Sequence, residues 1–208
     1  MSKAGKIVKI TVKTLLLGIS FCIYAFFIFR LCSTGEAPKS ITKIVWNETA
    51  REAYLADPES FCIYSQTPDT YITNDGRFWI SDIIYLPQAK QLQMTIKYND
   101  STLKYLRESL GDPAMVLPAE PFDYSLLSSA GVRLHEYSSD ALEYQNYNYR
   151  RLVFENVVIE DKTSHYVDIY YVDSINYSAI PYGSLLVWNT ALPVETLNVR
   201  KYLPDDLK

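Results

Sequence analysis

Three cysteines in 208 residues are too few to staple an exported domain. Cys22 lies inside a hydrophobic run, Cys32 at its outer edge, and Cys62 alone in the remainder. Disulfide-dependent domains show an even and denser set, so the body must fold on its apolar core, with a Cys32–Cys62 bridge left open. Histidine is scarcer still: His135 and His165 stand 30 residues apart with no companion cysteine pair, which argues against a zinc site of three or four ligands. A basic surplus is missing beyond the first 32 residues. From Ser33 onward 24 acidic residues face 15 basic ones, a net charge of −9, against +5 in the segment before it. That balance argues against nucleic acid and anionic lipid as partners of the body. No repeat of 20–50 residues and no recurrent strand–helix alternation is present, which excludes solenoids and doubly wound sheets.

What is present begins with a polarised hydrophobic segment. Lys3, Lys6, Lys9 and Lys13 precede an uncharged run from Thr14 to Phe29, closed by Arg30. Those 16 residues make only about 24 Å of helix, short of a hydrocarbon core of about 30 Å. Ile10 to Leu31 reaches about 33 Å if Lys13 and Arg30 snorkel to the headgroups. The run is apolar on every side, as a lipid-facing helix requires. Four lysines against one arginine place the N-terminus in the cytoplasm and the C-terminus outside. The competing pattern is a cleaved signal peptide, but no Ala-x-Ala site follows, and Phe29-Arg30-Leu31 before Cys32 is wrong for a lipoprotein. The expected organisation is a cytoplasmic segment (1–9), an uncleaved signal anchor crossing the cell membrane once (10–31), a juxtamembrane linker and helix (32–59), and an extracytoplasmic β-sandwich (60–208).

The body reads as mainly β. Pro38 to Ala56 has helical spacing at Ile41, Ile44 and Val45, ends at Asp57-Pro58, and is expected to pack on the domain through Trp46 and Tyr54. In Gln91–Tyr98, Leu92, Met94, Ile96 and Tyr98 alternate with Gln91, Gln93, Thr95 and Lys97, the pattern of a sheet with one wet face. Ser164–Asp173 alternates similarly, and Phe122, Tyr124 and Leu126 form another strand that Ser129-Ala130-Gly131 turns back into Val132–Tyr137. Phe61–Ser65, Phe78–Tyr85, Arg151–Glu155 and Ser184–Trp188 complete the strands, with Asn74-Asp75-Gly76 as a turn. One helical insert is expected around Leu103, Leu106 and Leu110, capped by Asp100 or Ser101 and stopped by Gly111. Seven or eight short strands with turns between them indicate an antiparallel sandwich.

The short anchor, Ile44-Val45-Trp46-Asn47, Met94-Thr95-Ile96-Lys97-Tyr98-Asn99-Asp100 and Tyr149-Arg150-Arg151-Leu152-Val153-Phe154-Glu155 carry a resemblance over most of the chain. In these stretches it resembles the uncharacterised single-pass proteins of Gram-positive bacteria that carry one extracytoplasmic immunoglobulin-like sandwich. The resemblance implies that architecture and no activity. The Cys–Trp–Cys core of antibody domains is missing.

Motifs for chemistry are thin. Gly183-Ser184 lacks the Gly-x-Ser-x-Gly elbow and leads into a strand. Glu155, Asp168 and Asp173 lie on or near strands, where outward alternation explains them as solvated rather than as a glycosidase pair. Asp173, Asn176 and Ser178, or Asn74 and Asp75, could gather around calcium but lack the density of a dedicated loop. Three Asn-x-Ser/Thr sequons, at Asn47, Asn99 and Asn176, matter only in a glycosylating host. The expectation is therefore a non-enzymatic module with no cofactor. Tyrosine is the outlier, with 18 residues. Tyr137, Tyr144, Tyr147 and Tyr149 crowd one stretch among Glu, Asn, Gln and Ser. Three readings fit: tyrosines covering a sheet edge, a surface for a protein partner, or a surface for a cell-wall glycan.

Overall fold

The computed structural model describes residues 3–33, 37–67, 73, 75–111, 114–173 and 178–208. The chain falls into two compact units, Met1–Ala37 and Pro38–Lys208. The first holds helix α1 (Lys3–Ser33). Its 31 residues make about 46 Å of helix, and Thr11–Ile28 within it is long and apolar enough to cross a membrane. Every side chain from 11 to 28 is exposed, as expected of residues that would face acyl chains rather than a protein core.

The second unit is mainly β. After α2 (Lys39–Thr42) and α3 (Glu48–Ala56) come β1 (Ile63–Gln66), β2 (Phe78–Leu86), β3 (Gln91–Asn99), α4 (Asp100–Ser109), β4 (Phe122–Ser128) and β5 (Arg133–Leu134). Then follow β6 (Tyr137–Tyr144), β7 (Tyr147–Phe154), β8 (Ser164–Asp173), β9 (Ser178–Asn189), β10 (Glu195–Leu197) and α5 (Val199–Tyr202). They form two antiparallel sheets, six strands in the order β10-β1-β2-β3-β7-β6 and four in the order β5-β4-β8-β9.

One apolar core is drawn from both sheets, and period-2 alternation decides its members. Leu92, Met94, Ile96 and Tyr98 of β3 and Leu152 and Phe154 of β7 meet Phe122, Tyr124 and Leu126 of β4 and Val167, Ile169 and Tyr171 of β8. Edge-to-face aromatic pairs, Phe78 on Phe122 and Tyr124 on Tyr137, join the sheets at centroid separations of 4.9 and 5.9 Å. A bulge at Asp82 (φ 51°) re-aims β2. Beyond it Ile83 and Tyr85 face this core, while Ile84 and Leu86 face a second cluster with Ala50, Phe61 and Ile63.

Residues 38–56 differ from a single helix. They break at Lys43, whose backbone is extended, and restart at Asn47, whose side chain accepts from the Ala50 N–H at 2.9 Å. Asparagine is among the strongest helix-capping residues, and the intervening backbone is engaged elsewhere: Gln93 Oε1 accepts from Val45 N–H at 2.8 Å, and Gln93 Nε2 donates to Val45 C=O at 2.7 Å. Trp46 and Tyr54 do pack on the body, Trp46 stacking on Phe61 at 5.3 Å and Tyr54 meeting it edge-on at 5.6 Å. The cap of α4 is Asn99 rather than Asp100 or Ser101, its side chain accepting from Thr102 N–H at 3.1 Å. Gly111 follows with φ 79°, the left-handed position where glycine ends helices without strain.

Candidate functional site

The four tyrosines of the 137–149 stretch belong to a hairpin that closes the six-stranded sheet. Gln145 and Asn146, with φ of 51° and 66°, form its two-residue turn, the geometry that matches strand twist. Registry pairs Tyr144 with Tyr147, Leu142 with Tyr149 and Tyr137 with Phe154. Tyr137 thus lies on the opposite face from the other three. It packs on Phe154 and Tyr124, and its hydroxyl donates to Asp123 Oδ1 at 2.7 Å. Burial, reinforced by that carboxylate, pushes the Tyr137 hydroxyl far above the ordinary tyrosine range. Tyr137 is partly buried and packs against the core that joins the sheets, on the face away from the other three tyrosines.

Tyr144, Tyr147 and Tyr149 share the outer face. Tyr149 is covered, and Tyr147 contacts it at a centroid distance of 6.3 Å. Two further residues join from other strands. Lys97 is opposite Tyr149 in β3, and Trp79 is opposite Lys97 in β2. The Lys97 ammonium lies 4.7 Å from the Tyr147 ring centre and 5.2 Å from that of Trp79, with the two rings edge-on at 6.3 Å. Such cation–π contacts hold an ammonium whose hydration is partly lost, and burial lowers the Lys97 pKa below the usual lysine range. The result is a stripe Trp79–Lys97–Tyr147–Tyr144 across four strands, with Tyr144 itself exposed. Trp79 and Lys97 were not identified by sequence reasoning, because only strand registry brings them beside the hairpin. Next to the turn is a hollow of about 260 Å³ lined by Asp100, Tyr144, Gln145, Asn146, Tyr147 and Asn148 among others.

The rest of that outer face is not wet. Gln91, Gln93 and Thr95 alternate outward as polar residues should, yet all three are buried, and so is Arg151 beside them. Arg151 donates to Gln93 Oε1 at 3.0 Å, Thr95 Oγ1 at 3.1 Å and the Asp82 carbonyl at 3.0 Å. Burial lowers its pKa to about 10, against the nearby charges of Asp82 and Asp140. Residues 39–46 cover part of it, α2 lying against β6 and β7 and Val45 bracketed by Gln93, and Ala50 and Phe61 pack beside them on Ile84 and Leu86.

Other sequence candidates separate in space. Asp168 is ion-paired with Arg133 at 2.6 Å rather than simply solvated. Glu155 accepts from Asn47 Nδ2 at 2.5 Å. Asp75 accepts from the Thr73 hydroxyl at 2.5 Å and the Tyr182 hydroxyl at 2.6 Å. Burial raises the Asp75 carboxyl, but those hydroxyls, the Arg77 N–H and the Arg77 charge outweigh it and leave the pKa below the usual value. Asn74 and Asn176, and the side chains of Asp173 and Ser178, lie outside the described residues. Among the described residues no group of three His, Cys, Asp or Glu is placed to hold a metal ion. Compared with protein-family models, curated proteins and solved structures, the chain matches none.

Proposed function

We infer that this chain is a single-pass membrane protein whose body is an immunoglobulin-like sandwich, acting outside the cytoplasm as a structural or protein-interaction module rather than an enzyme. Strand order supports the sandwich reading. Taking β2 to β9 as strands A, B, C, C′, D, E, F and G, the sheets run A-B-E-D and C′-C-F-G, the immunoglobulin arrangement with a C′ strand added. On this reading β10 and β1 extend the A edge. The lysine-rich flank of α1 supports an N-in orientation.

The observation that carries the interaction role is the open stripe Trp79–Lys97–Tyr147–Tyr144 on a face partly covered by residues 39–46. Tyrosine and tryptophan anchor protein interfaces because they offer large amphipathic area at little rotamer cost. A photo-crosslinking amino acid replacing Tyr144 in cells should join the protein to one stoichiometric partner, whereas the same probe at Ser184, exposed on the other sheet, should not. Equal crosslinking from both positions would refute the assignment.

A second reading, a cell-wall glycan ligand, is favoured by the hollow beside the turn, where tyrosine rings adjoin amides and the Asp100 carboxylate. Rings can pack on the C–H faces of sugars while the polar groups meet hydroxyls. Under it, Tyr144→Ala with Tyr147→Ala abolishes co-sedimentation with wall polysaccharide at unchanged Tm. Unaltered sedimentation would retire the glycan reading.

A further inference from the structure

The edges of the two sheets are formed by β10 and β6, and by β5 and β9. Three of these are blunted against another chain. β10 offers three residues and β5 two. β9 is longer, but Pro181 has no N–H to donate, and the register on β8 shifts between Ile169 and Tyr170. Short strands, prolines and bulges are the usual means of protecting an edge. β6 has none of them. Its eight residues keep one unbroken register on β7 from Tyr137 to Tyr144, without proline or glycine.

The turn fixes which backbone groups of β6 look outward. Tyr144 and Tyr147 flank a two-residue turn, so they exchange the closing hydrogen bonds of the hairpin. Bonded and non-bonded pairs then alternate along an antiparallel ladder. Leu142, Asp140 and Ser138 are therefore bonded to β7, whereas Glu143, Ala141 and Ser139 turn their N–H and C=O away from it. Among the described residues no backbone of another segment bonds to these three. All three are exposed, and so are Asp140 and Tyr144.

Charge tells what kind of chain fits. Asp140 and Glu143 are the charged residues of β6, and among the described residues neither takes part in an ion pair. α2 lies against β6, but its Lys39 pairs with neither carboxylate. Arg151 stands opposite Asp140, yet its guanidinium donates to Gln93, Thr95 and the Asp82 carbonyl. A second copy of β6 would bring acid toward acid, which cross-strand pairing disfavours.

We propose that β6 is completed by an extended segment of a partner protein, added antiparallel beside it and carrying basic residues opposite Asp140 and Glu143. Along the partner, starting from the residue opposite Tyr144, the fitting order is apolar, basic, apolar, any, basic. The two apolar residues lie beside Tyr144 and Leu142 and carry the open tyrosine stripe onto the new strand. Backbone bonds supply affinity in such an addition, and alternate side chains supply selectivity. This rests on the interaction reading above and adds to it the mode of contact and the sign of the partner's charge.

Two variants test it. Ala141→Pro removes an N–H that β7 does not use, a position where an edge strand accepts proline, so Tm should stay close to that of the native chain. Asp140→Lys with Glu143→Lys reverses the charge and leaves the backbone alone. It decides by itself if the proline variant melts early. The photo-crosslinker at Tyr144 is placed in cells in the native chain and in each variant, and the joined peptide is sequenced. The native chain should yield a segment with the order above, and each variant should lower the yield about tenfold. In the purified protein the amides of Ser139, Ala141 and Glu143 should exchange fast, and those of Ser138, Asp140 and Leu142 slowly. Undiminished crosslinking in either variant would overturn strand addition while sparing the interaction role. A joined segment without the two basic residues, or one that is the chain's own, would overturn it as well, and so would slow exchange at all six amides. No crosslink from the native chain would overturn both readings together.

Discussion

The two halves of the outer face of the six-stranded sheet are built from the same strands by the same alternation, yet they have opposite fates. Toward one end Gln91, Gln93, Thr95 and Arg151 are buried, and Val45 of the folded-back segment is bonded to Gln93. Toward the other, Trp79, Lys97, Tyr147 and Tyr144 are left partly or fully exposed. The covered half mixes these polar groups with the apolar cluster of Ile63, Ile84 and Leu86, and the open half is aromatic. Hydrophobic sorting accounts for the apolar cluster but not for the polar side chains buried beside it. Buried polar groups are tolerable when a network satisfies them, and Gln93 supplies one for Arg151 and Thr95 by bonding both backbone groups of Val45 while accepting from Arg151, although the Gln91 amide stays outside it. Among the described residues the open half has no such cover, and amphipathic rings are the side chains suited to meeting both water and a partner.

The sharpest way to break this contrast is Gln93→Leu. It strands the Val45 N–H and C=O and deprives the buried Arg151 of an acceptor. A loss of about 3 kcal/mol is expected, a fall in Tm of roughly 6–12 °C for a domain of this size. An unchanged Tm would mean that the bracket contributes nothing. Pairing it with Arg151→Met should cost less than the sum of the two single changes, since both belong to one network.

Next in size is Trp46→Ala, which removes the stack on Phe61 and the bond from Trp46 Nε1 to the Tyr202 carbonyl at 2.9 Å. Because Trp46 is half-buried, about 2 kcal/mol is expected. Amides 43–47 should exchange with solvent faster while β3 stays protected. Exchange unaffected at 43–47 would show that the cover is held by other contacts.

A smaller effect is expected with pH. The folded Asp75 carboxyl is held below its ordinary value of 3.8. Its contribution is therefore present in full above about pH 4 and lost as pH falls through the folded pKa. Since the Asp75 side chain is 38 % exposed, solvent screening limits the contribution to about 0.5 kcal/mol. Asp75→Asn should flatten acid melting below pH 4 by that amount; an identical acid limb in both proteins would contradict the assignment. Smallest of all is Tyr144→Ala, expected to change stability by no more than about 0.5 kcal/mol while removing binding. A large loss of Tm would recast Tyr144 as structural.

Much of this fold was legible in the chain. The alternation of 91–98 and 164–173 located β3 and β8 and their inward residues. Gly131, with φ 88°, marks the turn between β4 and β5. The cover was not legible, since Gln91, Gln93 and Thr95 look the same to a periodicity argument whether water or a folded-back segment lies above them. β6 was missed because both its faces are largely exposed and its turn uses Gln145-Asn146 rather than a glycine pair. Once that strand is recognised, an offset of seven residues already puts Tyr137 and Tyr144 on opposite faces. Trp79 and Lys97 arrive from strands distant in sequence, and no local pattern announces them.

The most direct measurement is oxidative footprinting of the full-length protein in cells that express it and after purification in detergent. If the open half is a binding surface, Trp79 and Tyr144 are protected in cells and become reactive on purification, while Trp46, stacked on Phe61 within the folded-back segment, reacts equally in both. Equal reactivity of Trp79 and Tyr144 in the two settings would contradict the account.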